Sequence, residues 1–240
     1  MRLDGRGTHE LRSMQVDVRP LQHPDGSALI HMGNTQVLCT VTYEANVPLW
    51  RKGKGSGWLT AEYALLPGST HTRTPRSHIS GGRTHEIQRL IGRSLRRAVD
   101  LDRLGEATLV VDCDVLQADG GTRTAAINGA YIALALALQH LASQGVVPLE
   151  ALLPPIAAIS VGIVAGHPMM DLSYEEDARA EIDLNVVMNA QQQFIEVQGT
   201  AEGHAIERAT LDQLLDLATE GIRELTRVQR EVLACAGIET

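Results

Sequence analysis

LVVDCDVLQADGGTRTAAINGAYIALALALQHLA, Leu109–Ala142, holds a strand, a turn and a helix in that order. Leu109–Leu116 is rich in Val and Leu and reads as a strand. Ala125–Ala142 is apolar nearly all round, and a helix without a polar face is buried at the centre of its protein. Between them lies ADGGTRT, Ala118–Thr124. Two glycines there let backbone N–H groups approach a ligand closely, and the start of the helix adds partial positive charge. Thr122 can donate from its hydroxyl and Arg123 can offer a two-pronged fork. The segment is chemically complete as a seat for a small oxyanion such as phosphate. An ordinary strand-to-helix turn with a surface arginine would read the same way.

Upstream, Ser27–Gly33, Thr35–Glu44 and Gly57–Leu66 are strand-like, and Gly33-Asn34 between the first two is a tight hairpin signal. A loop rich in Gly, Ser, Thr and Pro, Leu66–Gly82, leads to a helix whose Ile87, Leu90, Ile91, Leu95, Ala98 and Val99 share one stripe. Downstream, Ala157–Gly166, Glu181–Asn189 and Phe194–Gly199 read as strands. A last helix follows, with Leu211, Leu214, Leu215, Ala218, Ile222 and Leu225 at helical spacing. Strands, helix, strand, helix, strands, helix is a mixed α/β order. No linker interrupts it, so residues 1–240 are expected to form one domain.

The chain of 240 residues is 44% apolar and only 3% aromatic. Its core must therefore be aliphatic, and base stacking on aromatic rings is a poor candidate for its main mode of binding. Cys39, Cys113 and Cys235 lack metal-ligand spacing and are expected as buried, reduced thiols. The N-terminus has no apolar targeting segment and no apolar run suggests a bilayer span, so a cytoplasmic protein without membrane contact is expected.

Charge is concentrated. The net charge is -8, yet residues 51–103 carry eleven Lys/Arg against four Asp/Glu, while residues 104–240 carry six against twenty. Such a segment can steer a phosphate-rich ligand to one place, or it can be a solvated face paired with the acidic remainder. Its centre, GGRTHEIQRLIGRSLRR (Gly81–Arg97), has five arginines. Gly81-Gly82-Arg83 repeats the glycine-pair, arginine and helix-start pattern of Gly121-Thr122-Arg123, so the two could face one dianion. A third constellation, Asp171–Val187, has six carboxylates. Alternation along the strand puts Glu181 and Asp183 on one face, with Asp177 just upstream. Oxygen ligands so clustered suit Mg²⁺, or they form a polar strand face in solvent. No GxxxxGK[ST] or GxSxG motif occurs, so no covalent nucleophile is visible.

Lys52–Arg73, Gly81–Arg96, Asp112–Ala130, Glu175–Met188 and Ile195–Gly203, in this order, resemble the ribonuclease PH family of bacterial phosphate-dependent 3′→5′ exoribonucleases over nearly the whole chain. The resemblance implies a ribosomal protein S5 domain 2-like fold and a homohexamer, a trimer of dimers. It implies that Arg83, Gly121, Thr122 and Arg123 hold inorganic phosphate as co-substrate. Asp177 and Asp183 would be catalytic and serve Mg²⁺ or another hard divalent cation, or proton transfer. Arg73 and Arg76 fall where the family grips tRNA precursors, and Arg89, Arg93 and Arg96 would continue the RNA track. Asn128 stands where the family usually has threonine, and little effect is expected. The rivals are a non-catalytic ring subunit, which would lack the arginine pair or Asp183, and a small-molecule phosphate enzyme, which would need no extended basic track.

Overall fold

The computed structural model describes residues 2, 4–76, 81–202 and 205–239. Two β-sheets enclose one helix. The first sheet has the order β1 (Met14–Val18), β2 (Gly26–Met32), β3 (Thr35–Glu44), β5 (Thr108–Gln117), β4 (Trp58–Leu65). Its pairs are antiparallel except β4–β5, which run parallel and are connected through α1 (Gly82–Leu95) and the one-turn α2 (Leu101–Leu104). The second sheet is wholly antiparallel, with the order β7 (His167–Met170), β6 (Ile156–Val164), β8 (Ile182–Asn189), β9 (Phe194–Ala201). The hairpin at Gly33-Asn34 is present: Met32 pairs with Thr35, and Gly33 takes φ +56°, a left-handed conformation that glycine adopts without steric cost.

α3 (Thr122–Ser143) lies between the sheets, against β2 and β3 on one side and β6 on the other. Its 22 residues are long and apolar enough to cross a bilayer, contrary to the sequence expectation, but most of that surface is buried inside the protein. Close approach to the first sheet requires glycine at two points. A Cβ on Gly26 would stand 2.2 Å from the Ala133 carbonyl oxygen, and one on Gly129 2.7 Å from Ile30. α5 (Arg208–Cys235) closes the outer face of the second sheet with Leu214, Ala218, Ile222 and Leu225, packing on β6, β7 and β8. One continuous aliphatic core runs through both sheets and α1, α3 and α5.

Among the described residues, five short elements lie outside the sequence reading: β1, α2, a 3-10 turn at Leu149–Ala151, β7 and the one-turn α4 (Tyr174–Asp177). Cys39 and Cys113 are buried free thiols facing each other across β3 and β5, whereas Cys235 is exposed, against expectation.

Asn128 makes contacts that the sequence alone does not show. Fully buried in α3, it donates to the Ala158 carbonyl and accepts from the Ala158 N–H, both at 2.9 Å, so it brackets the helix to β6. Gln229 of α5 reaches the same bracket, donating to the Ile156 carbonyl at 3.1 Å. Asn128→Ala would leave a buried backbone donor and acceptor without partners. The expected loss is about 2–4 kcal/mol of stability, read by denaturant unfolding. A change below about 0.5 kcal/mol would mean the bracket contributes little.

Candidate active site

One cavity of about 410 Å³ opens where the two sheets and the start of α3 meet. Tyr63 and Leu65 from the end of β4 line it, with Arg83 of α1, Gly120–Arg123, Tyr174 and Asp177 of α4, and Asp183 and Asn185 of β8. The chain thus folds Arg83, Gly121, Thr122, Arg123, Asp177 and Asp183 onto a single space. The two arginine-bearing helix starts, 40 positions apart by their numbering, face the same void.

Both helix starts are built in the same way. Gly81 stands at the N-cap of α1 and Gly121 at that of α3, and neither helix has a side-chain cap or an acidic residue in its first turn. The first N–H groups of a helix lack intrahelical acceptors. Here they and the positive end of the helix dipole are left for an anion. Gly120 and Gly121 have φ of +73° and +63°, a backbone conformation that turns successive amides toward one side. Arg123 is half-buried, and its Nη1 lies 3.5 Å from a Glu86 carboxylate oxygen of α1 and 3.4 Å from Gln198 Oε1 of β9. Gln198 in turn donates to Glu86 at 2.7 Å. Among the described residues, the contacts of Arg123 fall on Nη1 and leave the donors of its Nε–Nη2 edge unused.

Tyr63 is buried, with its hydroxyl 2.8 Å from Thr122 Oγ1. Burial pushes its phenol above the usual range, so it stays neutral and can orient Thr122. Tyr63→Phe is expected to raise the KM for the bound anion a few-fold, about 1 kcal/mol, with kcat and the melting temperature nearly unchanged. An unaltered KM in steady-state kinetics would remove Tyr63 from this role.

The six carboxylates of Asp171–Val187 sort themselves by partner. Asp171 is forked by Arg12 and Glu176 by Arg2; Glu175 pairs with Arg179; Glu181 lies outside β8 and accepts from the Gly166 N–H. The expectation that Glu181 shares the Asp183 face is therefore corrected. Asp177 and Asp183 remain, and both line the cavity. Asp183 does not lie on a solvated strand face. Burial, reinforced by the nearby Asp177 charge, raises its pKa to about 6 against the pull of Arg123 and Arg83. Its Oδ1 is buried without a hydrogen-bond partner, while Oδ2 has a long contact with Asn185. Among the described residues no group of three or more His, Cys, Asp or Glu side chains could by itself hold a metal. An ion here would have two carboxylates and would need further oxygens from substrate or water, a donor set Mg²⁺ takes.

The basic residues divide. Arg73 and Arg76 are exposed on the loop after β4. That loop reaches the cavity through Thr70, and its His71 ring lies 5.9 Å from Tyr174. Arg89 is exposed on α1. Arg93 is forked onto Glu196 at 2.5 and 3.0 Å, and Arg96 lies 4.4 Å over the Trp58 ring while donating to the Leu59 carbonyl. Those two guanidiniums tie α1 to β9 and β4. Arg93 nonetheless keeps an exposed side chain, and Arg96 is partly buried.

Residues 10–138 match domain 1 of the 3′ exoribonuclease family, and residues 154–221 match its domain 2. The chain belongs to the 3′ exoribonuclease family. Family relatives named Ribonuclease PH include that of Corynebacterium efficiens, 54% identical over 235 residues, covering 97% of this chain and 96% of the relative. That of Syntrophomonas wolfei is 53% identical, covering 97% and 98%. Among solved structures, rice Rrp46 superposes with a TM-score of 0.79 at 20% identity, covering 97% of this chain and all of that one. An Archaeoglobus fulgidus exosome with RNA bound to the active site also gives 0.79, at 23% identity, covering 94% and 91%. These exoribonuclease-family likenesses agree with the expected ribosomal protein S5 domain 2-like fold.

Proposed function

We propose that this chain is a phosphorolytic 3′→5′ exoribonuclease. It trims the 3′ ends of tRNA precursors and other structured RNA with inorganic phosphate and releases nucleoside 5′-diphosphates. The observation that carries the reading is the convergence of two uncapped helix starts and two arginines on a cavity whose other wall bears Asp177 and Asp183. Phosphate and the phosphodiester it attacks are both anions, and their repulsion is large in a cleft with little water. Arg83, Arg123, the Thr122 hydroxyl and the amides of Gly121–Arg123 offset it and hold the phosphate in line with the last linkage. A phosphate oxygen forms the new bond to phosphorus as the bond to the 3′ oxygen breaks. The released oxygen takes a proton to become a 3′ hydroxyl. Phosphate is its own nucleophile, consistent with the lack of a serine or cysteine motif in the sequence.

The Asp177–Asp183 pair would stand beside the leaving oxygen. The buried, unpartnered Oδ1 of Asp183 supports its use as a ligand, with Asp177, of a hard divalent cation such as Mg²⁺. When bound there, such an ion supplies positive charge next to the developing 3′ oxyanion. Arg73, Arg76 and Arg89, with Arg93 and Arg96 further along α1, would grip RNA outside the cavity. The common core across both sheets supports reading the chain as one domain. Exposed Leu49, Trp50, Phe194 and Val197 offer apolar surface that a homohexameric ring, a trimer of dimers, would cover. We place the enzyme in the cytoplasm.

The test incubates the protein with a 3′-extended tRNA precursor and Mg²⁺, with and without phosphate. Nucleoside diphosphates that form only with phosphate support the reading. Monophosphates, or shortening that ignores phosphate, overturn it.

A further inference from the structure

The segment before β1 carries Arg2, Arg6 and Arg12, none of which lines the cavity, yet all three reach the corner at residues 171–176. Arg2 forks onto Glu176, with both nitrogens at 2.7 Å, and Arg6 approaches the Asp171 carbonyl. Arg12 does more than bind this corner. Its Nε and Nη2 donate to the Asp171 carboxylate at 3.0 and 2.6 Å, and its backbone N–H adds a third bond at 2.7 Å. Its Nη1 points the other way and donates to the Asp119 carbonyl at 2.7 Å.

One guanidinium therefore touches two walls of the site. Asp119 begins the glycine turn that delivers Gly121, Thr122 and Arg123. Asp171 begins the corner that delivers α4 and Asp177. The two walls also touch directly: a Cβ on Gly120 would stand 2.6 Å from the backbone of Ser173 and Tyr174, and one on Gly121 2.8 Å from Arg12 Nη2. Asp171 holds φ +51°, which aspartate tolerates better than most residues and which the surrounding bonds keep in place. Arg12 and Asp171 are almost wholly buried, and a buried ion pair is weak support for stability compared with apolar packing of the same volume. What it fixes well is geometry.

We propose that Arg12 is a positioning residue that holds the anion-binding turn at 119–121 in register with the carboxylate-bearing corner at 171–177. This rests on the phosphorolytic reading above. Lysine cannot replace it, because one ammonium cannot reproduce the planar fork and the opposite-facing donor together. A displacement of the turn by a fraction of an ångström moves the phosphate relative to the linkage it attacks.

Arg12→Lys and Asp171→Asn test this, the second because asparagine also accepts a left-handed backbone. In full-length protein with wild-type circular dichroism and solution mass, both variants are expected to raise the phosphate KM about ten-fold. The KM for RNA should stay unchanged, and saturating phosphate should restore most of the rate. A fold defect alone would lower kcat through loss of active protein and leave the phosphate KM where it was. An unchanged phosphate KM in both variants overturns the inference, whatever happens to kcat. Wild-type protein that releases no nucleoside diphosphates sinks the phosphorolytic reading and this inference with it.

Discussion

Arg123→Ala abolishes phosphate-dependent RNA shortening: kcat/KM is expected to fall at least about a thousand-fold, on the order of 4 kcal/mol. The size follows from what the side chain does in the cavity. Its contacts to Glu86 and Gln198 are long, 3.5 and 3.4 Å, so the folded state loses little when they go. The anion, by contrast, loses a charged, two-pronged donor aimed at it from a preorganised helix start. Melting temperature and solution mass should therefore match wild type while nucleoside diphosphate release disappears. A variant that retained wild-type kcat/KM would show that phosphate is held elsewhere.

The second large effect has opposite signs on activity and stability. Asp183→Asn removes a cavity carboxylate and should lower turnover by about three orders of magnitude. The same substitution should stabilise the protein without divalent cations. Burial and the neighbouring Asp177 raise the Asp183 pKa from 3.8 to about 6, so the folded state disfavours its charge. Between those values the folded protein binds more protons than the unfolded chain, and stability falls as pH rises through the window. Above it the cost is about 3 kcal/mol, which asparagine avoids. Melting temperature at pH 8 should rise by several degrees, and the gain over wild type should shrink toward pH 4. A variant less stable than wild type at pH 8 would contradict the burial argument.

Much of this was legible in the chain itself. Alternating Val and Cys in β3 and the all-round apolar face of α3 reveal strand and helix because burial imposes the periodicity directly. The glycines and arginines that line the cavity were legible for a similar reason: glycines with an arginine at a helix start leave a local trace. β7 is different. His167 and Pro168 are poor strand formers, and the segment is extended only because it pairs along the edge of β6. α4 did leave a signal, the Ser173–Glu176 capping box. Composition shows the charge of Arg93 and Arg96 but not the Glu196 and Trp58 that they also contact. Arg12 and Asp171 are 159 positions apart, and no local pattern announces a pairing at that separation. Alternation gave the face of Asp183 but not the arginines and buried wall standing over it.

The cavity takes residues from Tyr63 to Asn185, with the second sheet supplying one wall. A ribosome that has not yet released β8 carries a chain whose arginine seats are already synthesised but whose acidic wall is missing. Such a nascent chain has neither the closed core nor the complete cavity, so the proposed activity waits until the second sheet has been made and has packed on α3.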